Sequence, residues 1–201
     1  MSGRSGFTLL EVMMVTFISS FVFAGVLSAY IFLGRGLARQ VNEESLESRS
    51  RLALYWFTQD VSTASAIAAC VPTSSTTGTP TLFTLTTATG GTVSYSTDWS
   101  GGVGFGILNR KIGSSGPTLK LLTNLTSLSF RYYDLPGNDL TSSLPTSLAS
   151  TPVQQINVKQ VYMTYVATAG VASTGAQSNY TVMSPRVIMK NKVFLTDPTN
   201  P

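Results

Sequence analysis

The sequence predicts an α+β fold in which one long N-terminal helix packs on an antiparallel β-sheet. Two observations carry this prediction. An apolar run that begins at Phe7 continues into an amphipathic helical pattern, and from Leu82 onward the apolar spacing changes from helical to alternating. A helix followed by short strands and polar loops is the order expected of an α+β domain. With 201 residues, the chain has room for one globular domain beside the helix.

The N-terminal apolar run is long enough to cross a membrane. Residues 12–34 include no charged side chain, and as a helix they would be about 34 Å long, against a hydrocarbon core of about 30 Å. An ordinary signal peptide or signal anchor is the alternative, but signal cores span only about 7–15 residues, and no small-residue cleavage site follows Gly34. The one charge within the run, Glu11, is costly in lipid and therefore indicates a specific partner.

Beyond Gly34 the helical pattern continues, now with charged residues and a growing apolar face. Two apolar lines are spaced for one helix: Leu37, Val41, Leu52 and Trp56 on the first, and Leu46, Ala53, Phe57, Val61, Ala64 and Ala68 on the second. Because the face widens part-way, we expect the globular domain to pack on the helix from about Leu52 onward. The helix is predicted to end near Ala69, before Pro72.

The remaining chain predicts about six to eight short antiparallel strands. The apolar alternation places them at residues 82–87, 92–96, 103–112, 118–122, 125–133 and 158–166, with a last strand or hairpin at 180–193 that Pro185 interrupts. Residues 73–80 and 135–152 are rich in Pro, Gly, Ser and Thr and are predicted to be loops.

The composition excludes several kinds of active site. The chain has no histidine, which removes Ser-His-Asp and Cys-His catalysis and imidazole metal ligands. It also lacks the CxxC, Walker and GxGxxG motifs. A Ser–Lys dyad stays open, because its members could meet in space, but no SxxK spacing suggests one. We predict no catalytic residue, no cofactor and no metal site. The net charge of +4 is scattered and forms no basic–aromatic stripe, so no nucleic-acid binding is predicted.

Three local features are open to a functional interpretation. Asp134, Asn138 and Asp139 carry oxygen ligands that suit calcium, but these residues are also what any turn uses, and we favour a turn. Cys70 is the single cysteine and is expected to be a small buried residue at a helix end, with an intersubunit disulfide as the alternative. A third set of side chains is either a partner surface or, as we favour, core: Tyr95, Trp99, Tyr132 and Tyr133.

The N-terminal residues GFTLLEV resemble the class III signal of type IV prepilins and type II secretion pseudopilins. The resemblance implies that a prepilin peptidase cuts after Gly6 and that Phe7 becomes the methylated N-terminus. It also implies that Glu11, the fifth mature residue, neutralises the ammonium group of Phe7 on a neighbouring subunit or on its own. A buried amine and a buried acid are each costly alone and tolerable together.

The sheet region is similar to minor pilins of the PilW type and pseudopilins of the GspJ type. The similarity lies in residues 109–111, 119–122, 125–134 and 186–191. The last of these segments ends in Lys190-Asn191, where the families often have Arg-Asn. Major pilins commonly carry a C-terminal cysteine pair, which this chain lacks.

Together the resemblances imply the pilin fold and four segments. These are a leader peptide at 1–6, a transmembrane or filament-core half of the helix at 7–34, an amphipathic half at 35–69, and an antiparallel β-rich periplasmic domain at 70–201. Small residues between Ser19 and Ala29 would allow close helix packing.

The implied role is structural: a minor pilin that primes or caps assembly of a type IV pilus. Its implied partners are the prepilin peptidase/N-methyltransferase, other minor pilins and the major pilin through the N-terminal helix, and the inner membrane. The protein would lie in the bacterial inner membrane and then in a pilus or pseudopilus, or at the cell surface. The alternatives are a pseudopilin at the pseudopilus tip and a membrane-anchored adhesin or binding module; an anchored hydrolase is disfavoured because histidine is missing.

Overall fold

A computed structural model of the chain describes residues 8–70, 82–101, 105–144, 157–169 and 178–192. The chain divides into two compact units, Met1–Asn42 and Glu43–Pro201. One helix, α1 (Leu9–Thr63), begins in the first unit and ends in the second. The described part of the first unit is this helix together with Thr8, whereas the second unit adds a β-sheet.

In the described residues of the second unit, eight strands form one sheet in which all neighbours are antiparallel. The strands are β1 (Ala64–Cys70), β2 (Leu82–Thr87), β3 (Thr92–Asp98), β4 (Gly106–Ile112), β5 (Thr118–Tyr133), β6 (Gln160–Ala169), β7 (Ser178–Met183) and β8 (Val187–Ile188). They follow each other in chain order from β1 to β7, and β8 pairs with the start of β6. The predicted α+β class, a helix followed by an antiparallel sheet, is confirmed.

The core of the second unit lies between the sheet and one side of α1. The buried helical residues are Leu46, Ser50, Ala53, Phe57 and Val61, which follow the second of the two predicted apolar lines. Phe57 lies at the centre, with its ring 5.9 to 6.2 Å from those of Phe83, Tyr95 and Phe130. Burial begins at Leu46, earlier than the predicted start near Leu52, which stays 47% exposed because it lies on the other apolar line.

The predicted end of the helix near Ala69 is wrong. The helix ends at Thr63, and the alanine-rich segment that follows is strand β1. The spacing of Ala64 and Ala68 suits a helix as well as a strand, so pairing with β2 decides the outcome. The hydroxyls of Ser62 and Thr63 both donate to the carbonyl of Gln59, a local pattern that competes with a continuing helix.

Cys70 is buried, as expected, but it lies at the end of β1 and not at a helix end. Burial raises the pKa of its thiol to about 11, while the nearby Lys192 acts in the opposite direction. The thiol is therefore protonated and unreactive near neutral pH.

The other strand predictions agree with the structure, with one merger. Residues 118–122 and 125–133 form a single long strand, β5, whose register shifts near Leu125. Asn124 has a φ of 57°, and the pairing register shifts on both sides of it, an irregularity that the alternating pattern of β5 does not reveal. Residues 103 and 104, the predicted loop at 73–80 and residues 145–152 of the second predicted loop lie outside the described residues.

Candidate functional site

The N-terminus of α1 is capped by Thr8. The Thr8 carbonyl accepts hydrogen bonds from the backbone N–H of Glu11 at 3.1 Å and of Val12 at 3.3 Å, and its hydroxyl oxygen lies 3.4 Å from the Glu11 nitrogen. A threonine followed three residues later by glutamate is a known helix-start pattern. Gly6 and Phe7, the predicted processing residues, lie outside the described residues, and Phe7 directly precedes the cap in sequence.

Glu11 lies in the first turn of α1 and is exposed. An acidic side chain is favoured there because the unpaired N–H groups give this end of a helix a partial positive charge. Across the ranges that the structure covers, no side chain or backbone group bonds to the Glu11 carboxylate. Among the described residues, the carboxylate is thus available to a cation from outside them.

The first part of α1 exposes apolar side chains in all directions. Among the most exposed are Leu9, Leu10, Phe17, Phe21, Phe23 and Phe32. The helix contains a window of mean hydropathy 2.1 and is long and apolar enough to cross a membrane. A helix that is apolar on all sides needs lipid or other apolar helices around it. This part of the helix therefore fits membrane anchoring.

Two hydroxyl groups in this segment are satisfied by the helix itself. Thr16 donates to the carbonyls of Val12 and Met13 at 3.0 and 2.9 Å, and Ser20 donates to the carbonyl of Phe17 at 3.0 Å. Such back-bonding lets Thr and Ser lie in an apolar medium without an outside partner. Thr16 and Ser20 therefore do not oppose burial of the segment in lipid.

A buried ion pair that the sequence analysis missed ties α1 to the sheet. Arg110 on β4 binds the carboxylate of Asp60 through two hydrogen bonds of 2.7 and 2.8 Å, and the two side chains are only 8% and 9% exposed. The hydroxyl of Tyr95 donates to the same carboxylate at 2.5 Å. The ring of Trp56 lies 4.5 Å from the Arg110 guanidinium carbon. The fork of the guanidinium fixes both distance and orientation between helix and strand.

The charge states of this cluster are held by its surroundings. Hydrogen bonding to Asp60 raises the pKa of Arg110, so the guanidinium is charged at every ordinary pH. Burial, and then the Asp60 carboxylate, raises the pKa of the Tyr95 hydroxyl, which keeps it a donor. A usable signal was present in the sequence. Asp60 lies on the helical face of Phe57 and Val61, and Arg110 occupies an inward position of an alternating strand.

The segment after β8 closes on the end of α1. The backbone N–H of Lys190 donates to the Ser62 carbonyl at 3.1 Å, and the side-chain amide of Asn191 donates to the Thr63 carbonyl at 3.0 Å. These bonds satisfy carbonyls that a helix end leaves unpaired. The Lys-Asn pair singled out in the sequence therefore acts as a cap for the helix in this fold.

The loop around Asp134 and Asp139, which was open to a calcium-site interpretation, is a turn in the structure. The Asp134 carboxylate accepts hydrogen bonds from the backbone N–H groups of Gly137 and Asn138, each at 2.7 Å, and from the Asn138 side chain. This is the predicted turn. Asp139 accepts the Thr141 N–H at 2.8 Å. Within the described ranges, no group of three or more His, Cys, Asp or Glu side chains could hold a metal ion.

The four aromatic residues are core, as favoured. Tyr95 and Tyr132 are fully buried, and Trp99 and Tyr133 are nearly so. The Trp99 indole donates to the Thr97 hydroxyl at 3.0 Å, which satisfies its buried N–H. Burial raises the pKa of the Tyr132 hydroxyl well above its ordinary value. Tyr95, Trp99 and Tyr132 belong to the hydrophobic core cluster, and the ring of Tyr133 is buried beneath the guanidinium of Arg186.

The residues at the start of the helix match a known family motif. Residues 1–27 match the prokaryotic N-terminal methylation motif. Comparisons with curated proteins and with solved structures found no match. The matched residues include the predicted cut, the Thr8 cap and Glu11, and they continue into the exposed apolar helix. The chain therefore carries, at its N-terminus, the methylation motif that is typical of type IV prepilin-like proteins, the pilins and pseudopilins.

Proposed function

We propose that this protein is a minor pilin, a structural subunit that primes or caps assembly of a type IV pilus. The observation that carries the proposal is the methylation motif at the start of a helix whose apolar surface is exposed on all sides. A membrane can cover that surface before assembly, and the helices of other subunits can cover it afterwards. The more general role, that of a pilin-like or pseudopilin-like protein, follows from the motif itself.

Processing is proposed to occur between Gly6 and Phe7. Cleavage there would place a new amine two residues before the first helical residue, Leu9, and next to the cap at Thr8. Glu11 would then neutralise that amine in the same or a neighbouring subunit. The support is geometric and electrostatic, since the acid is exposed and unpaired in the described chain and would be costly in an apolar medium without a cation.

The same proposal assigns a role to each segment of the chain. Residues 1–6 would be the leader, 7–34 the membrane or filament-core segment, and the sheet domain would lie in the periplasm. The amphipathic half of the helix is proposed to join the two. The structure sets its end at Thr63, where β1 begins. The partners would be the prepilin peptidase/N-methyltransferase, other minor pilins and the major pilin.

A pseudopilin at the tip of a type II secretion pseudopilus is the alternative that the motif supports equally. In both cases the protein is a substrate of the processing enzyme and acts as a structural subunit. The two are distinguished by where the protein is found, because sheared surface pili would contain a minor pilin and a short periplasmic pseudopilus would not be released in that way.

The test is intact-mass analysis and N-terminal sequencing of the protein isolated from membranes, for wild type, Gly6→Ala and the leader control Gly3→Ala. We expect a mature chain that begins with methylated Phe7 in wild type and in Gly3→Ala, and an uncut chain in Gly6→Ala. An uncut wild-type chain, or a cut beyond Gly34, would contradict the proposal.

Glu11 is tested by incorporation into filaments. We expect Glu11→Gln to be cleaved normally and to be lost from sheared filaments, because the neutral amide cannot balance the amine. A Glu11→Asp variant keeps the charge and serves as the matched control. Normal incorporation of Glu11→Gln would show that the carboxylate has no role in assembly.

A further inference from the structure

A groove of about 450 Å³ lies on the face of the sheet that points away from α1. Its floor is made by β5 and β6, where Ser129 is paired with Thr164 and Arg131 with Tyr162. The neighbouring β5 residues Phe130 and Tyr132 are buried on the opposite, helix-facing side. The groove is therefore separate from the core and from the helix.

The side wall comes from the interruption between β7 and β8. There, Ser184 bonds to Met163 in place of the regular strand pairing. Its N–H donates to the Met163 carbonyl, and its hydroxyl oxygen accepts the Met163 N–H, both at 2.8 Å. Pro185 follows, and Arg186 turns onto the ring of Tyr133, with the guanidinium carbon 4.0 Å from the ring centre. The stacked ring holds the guanidinium at the groove without neutralising it.

Two guanidinium groups thus line one groove, and their donors are unused. In the described chain, neither Arg131 nor Arg186 forms a hydrogen bond or an ion pair with a carboxylate. Each guanidinium carries five N–H donors in a planar fork that matches a carboxylate. Arg110 shows the contrast in the same sheet, because its fork is fully engaged by Asp60.

The local charge suits a ligand with a single negative charge. The pKa of Asp139 is lowered, first by the hydrogen bonds from Thr141 and then by the nearby Arg131 and Arg186. Its carboxylate therefore offsets part of the positive field of the two arginines. Besides Met183, the remaining lining residues carry hydroxyl groups, on Ser129, Thr164 and the two tyrosines, which match a ligand rich in hydroxyls.

We propose that this groove binds a small carboxylate-bearing sugar, of the uronic acid type. Arg131 and Arg186 hold the carboxylate, and the hydroxyl-bearing side chains of β5 and β6 contact the sugar hydroxyls. The groove volume lies in the range of small-ligand sites. The proposal rests on the proposed function in one respect: in a filament with the helices at its centre, the face away from α1 stays open to an outside ligand.

The test is calorimetric titration of the full chain in non-ionic detergent with glucuronate, glucose and glucose 6-phosphate. We expect binding of glucuronate, and at least about tenfold weaker binding of glucose, because charge-assisted hydrogen bonds are lost. Glucose 6-phosphate is also expected to bind more weakly than glucuronate. Because the assay uses isolated protein, it is independent of cleavage and filament assembly.

The variants separate the groove from a general charge effect. Arg131→Gln and Arg186→Gln are each expected to weaken glucuronate binding about tenfold. The control Lys120→Gln removes one positive charge from the same strand outside the groove and should leave binding unchanged. Arg131→Lys keeps the charge and loses the fork, so it should also weaken binding. Thermal unfolding of each variant checks that the fold is retained.

Three results would overturn the proposal. The first is equal binding of glucuronate and glucose by the wild-type chain. The second is an equal loss in Arg131→Gln and Lys120→Gln, which would make the effect one of net charge. The third is tighter binding of glucose 6-phosphate, which would make the groove a phosphate site.

Discussion

The two parts of α1 are the same secondary structure under opposite conditions. The part in the first unit exposes apolar side chains on every side, whereas the part in the second unit buries one line of residues against the sheet. The second part is stabilised by its own domain. The apolar surface of the first part has to be covered by lipid or by other helices. The comparison teaches that one helix can expose apolar residues on all sides in one unit and pack a single line of them into a core in the next.

The largest expected difference between the two parts is in the effect of removing a phenylalanine. Phe57→Ala is expected to lower the free energy of unfolding of the sheet domain by about 3–5 kcal/mol, since its ring is fully buried among three others. Phe17→Ala, at a side chain that is 67% exposed, should change it by less than about 0.5 kcal/mol. Denaturant unfolding in detergent, followed by tryptophan fluorescence, measures both. Equal effects would contradict the exposure of Phe17, because they would require its ring to be packed as tightly as that of Phe57.

The ion pairs of the second unit offer a smaller contrast on the same helix. Asp60→Asn is expected to cost about 3 kcal/mol of unfolding free energy, because it leaves the buried Arg110 charge without its counter-charge. Glu47→Gln removes an ion pair of 2.6 Å with Arg51, but those side chains are 46% and 79% exposed, so its cost should stay below about 0.5 kcal/mol.

A double replacement, Asp60→Leu with Arg110→Met, tests the interpretation of that pair. It removes both charges and should recover much of the loss, since a buried pair gains little over apolar packing of similar volume. If Asp60→Asn proves as mild as Glu47→Gln, the buried pair does not anchor the helix. Denaturant unfolding at one fixed pH compares all three variants with wild type.

The smallest expected effect is a dependence of stability on pH at the end of the domain. Burial lowers the pKa of Lys192 from 10.5 to about 8, with a further contribution from Lys159 and an opposing one from Cys70. Between these values the unfolded chain holds more protons than the folded one, so the free energy of unfolding rises with pH. The raised pKa of Cys70 has the opposite effect between pH 9.0 and about 11.

The clean window for Lys192 is therefore pH 8 to 9. We expect a gain of about 0.5–1 kcal/mol over this window in wild type, and its loss in Lys192→Met. Lys190→Met, at an exposed position nearby, is the matched control and should keep the gain. Denaturant unfolding at pH 8.0, 8.5 and 9.0 measures it. An unchanged slope in Lys192→Met would assign the pH dependence to other groups.

Much of the fold follows from periodicity. The line through Leu46, Phe57 and Val61 is visible in the sequence because helical spacing and burial coincide there. The end of the helix is not visible, since small apolar residues such as Ala64 fit both a helix and an edge strand. What decides is the pairing with β2, a contact that lies outside any local window.

The functional residues also divide into those that local sequence reveals and those that depend on distant contacts. The N-terminal motif is local and is recognised from consecutive residues, and the family comparison confirms the resemblance. The Asp60–Arg110 pair spans 50 positions, and the groove of Arg131 and Arg186 depends on strands brought together by the fold. Charged residues at such positions look like ordinary surface charges until their neighbours are known.

The cap on the helix end has a consequence for the timing of synthesis. The carbonyl of Thr63 is bonded by Asn191, which follows it by 128 positions. The closure of so long a loop adds little to the free-energy cost, because that cost grows only with the logarithm of loop length. The order of events is affected more. The ribosome makes the apolar line around Phe57 early, and the rings that cover it, Phe83, Tyr95 and Phe130, follow before the last third of the chain. Asn191 emerges long after them, so the end of the helix is the part of the domain that a nascent chain must leave uncapped until last.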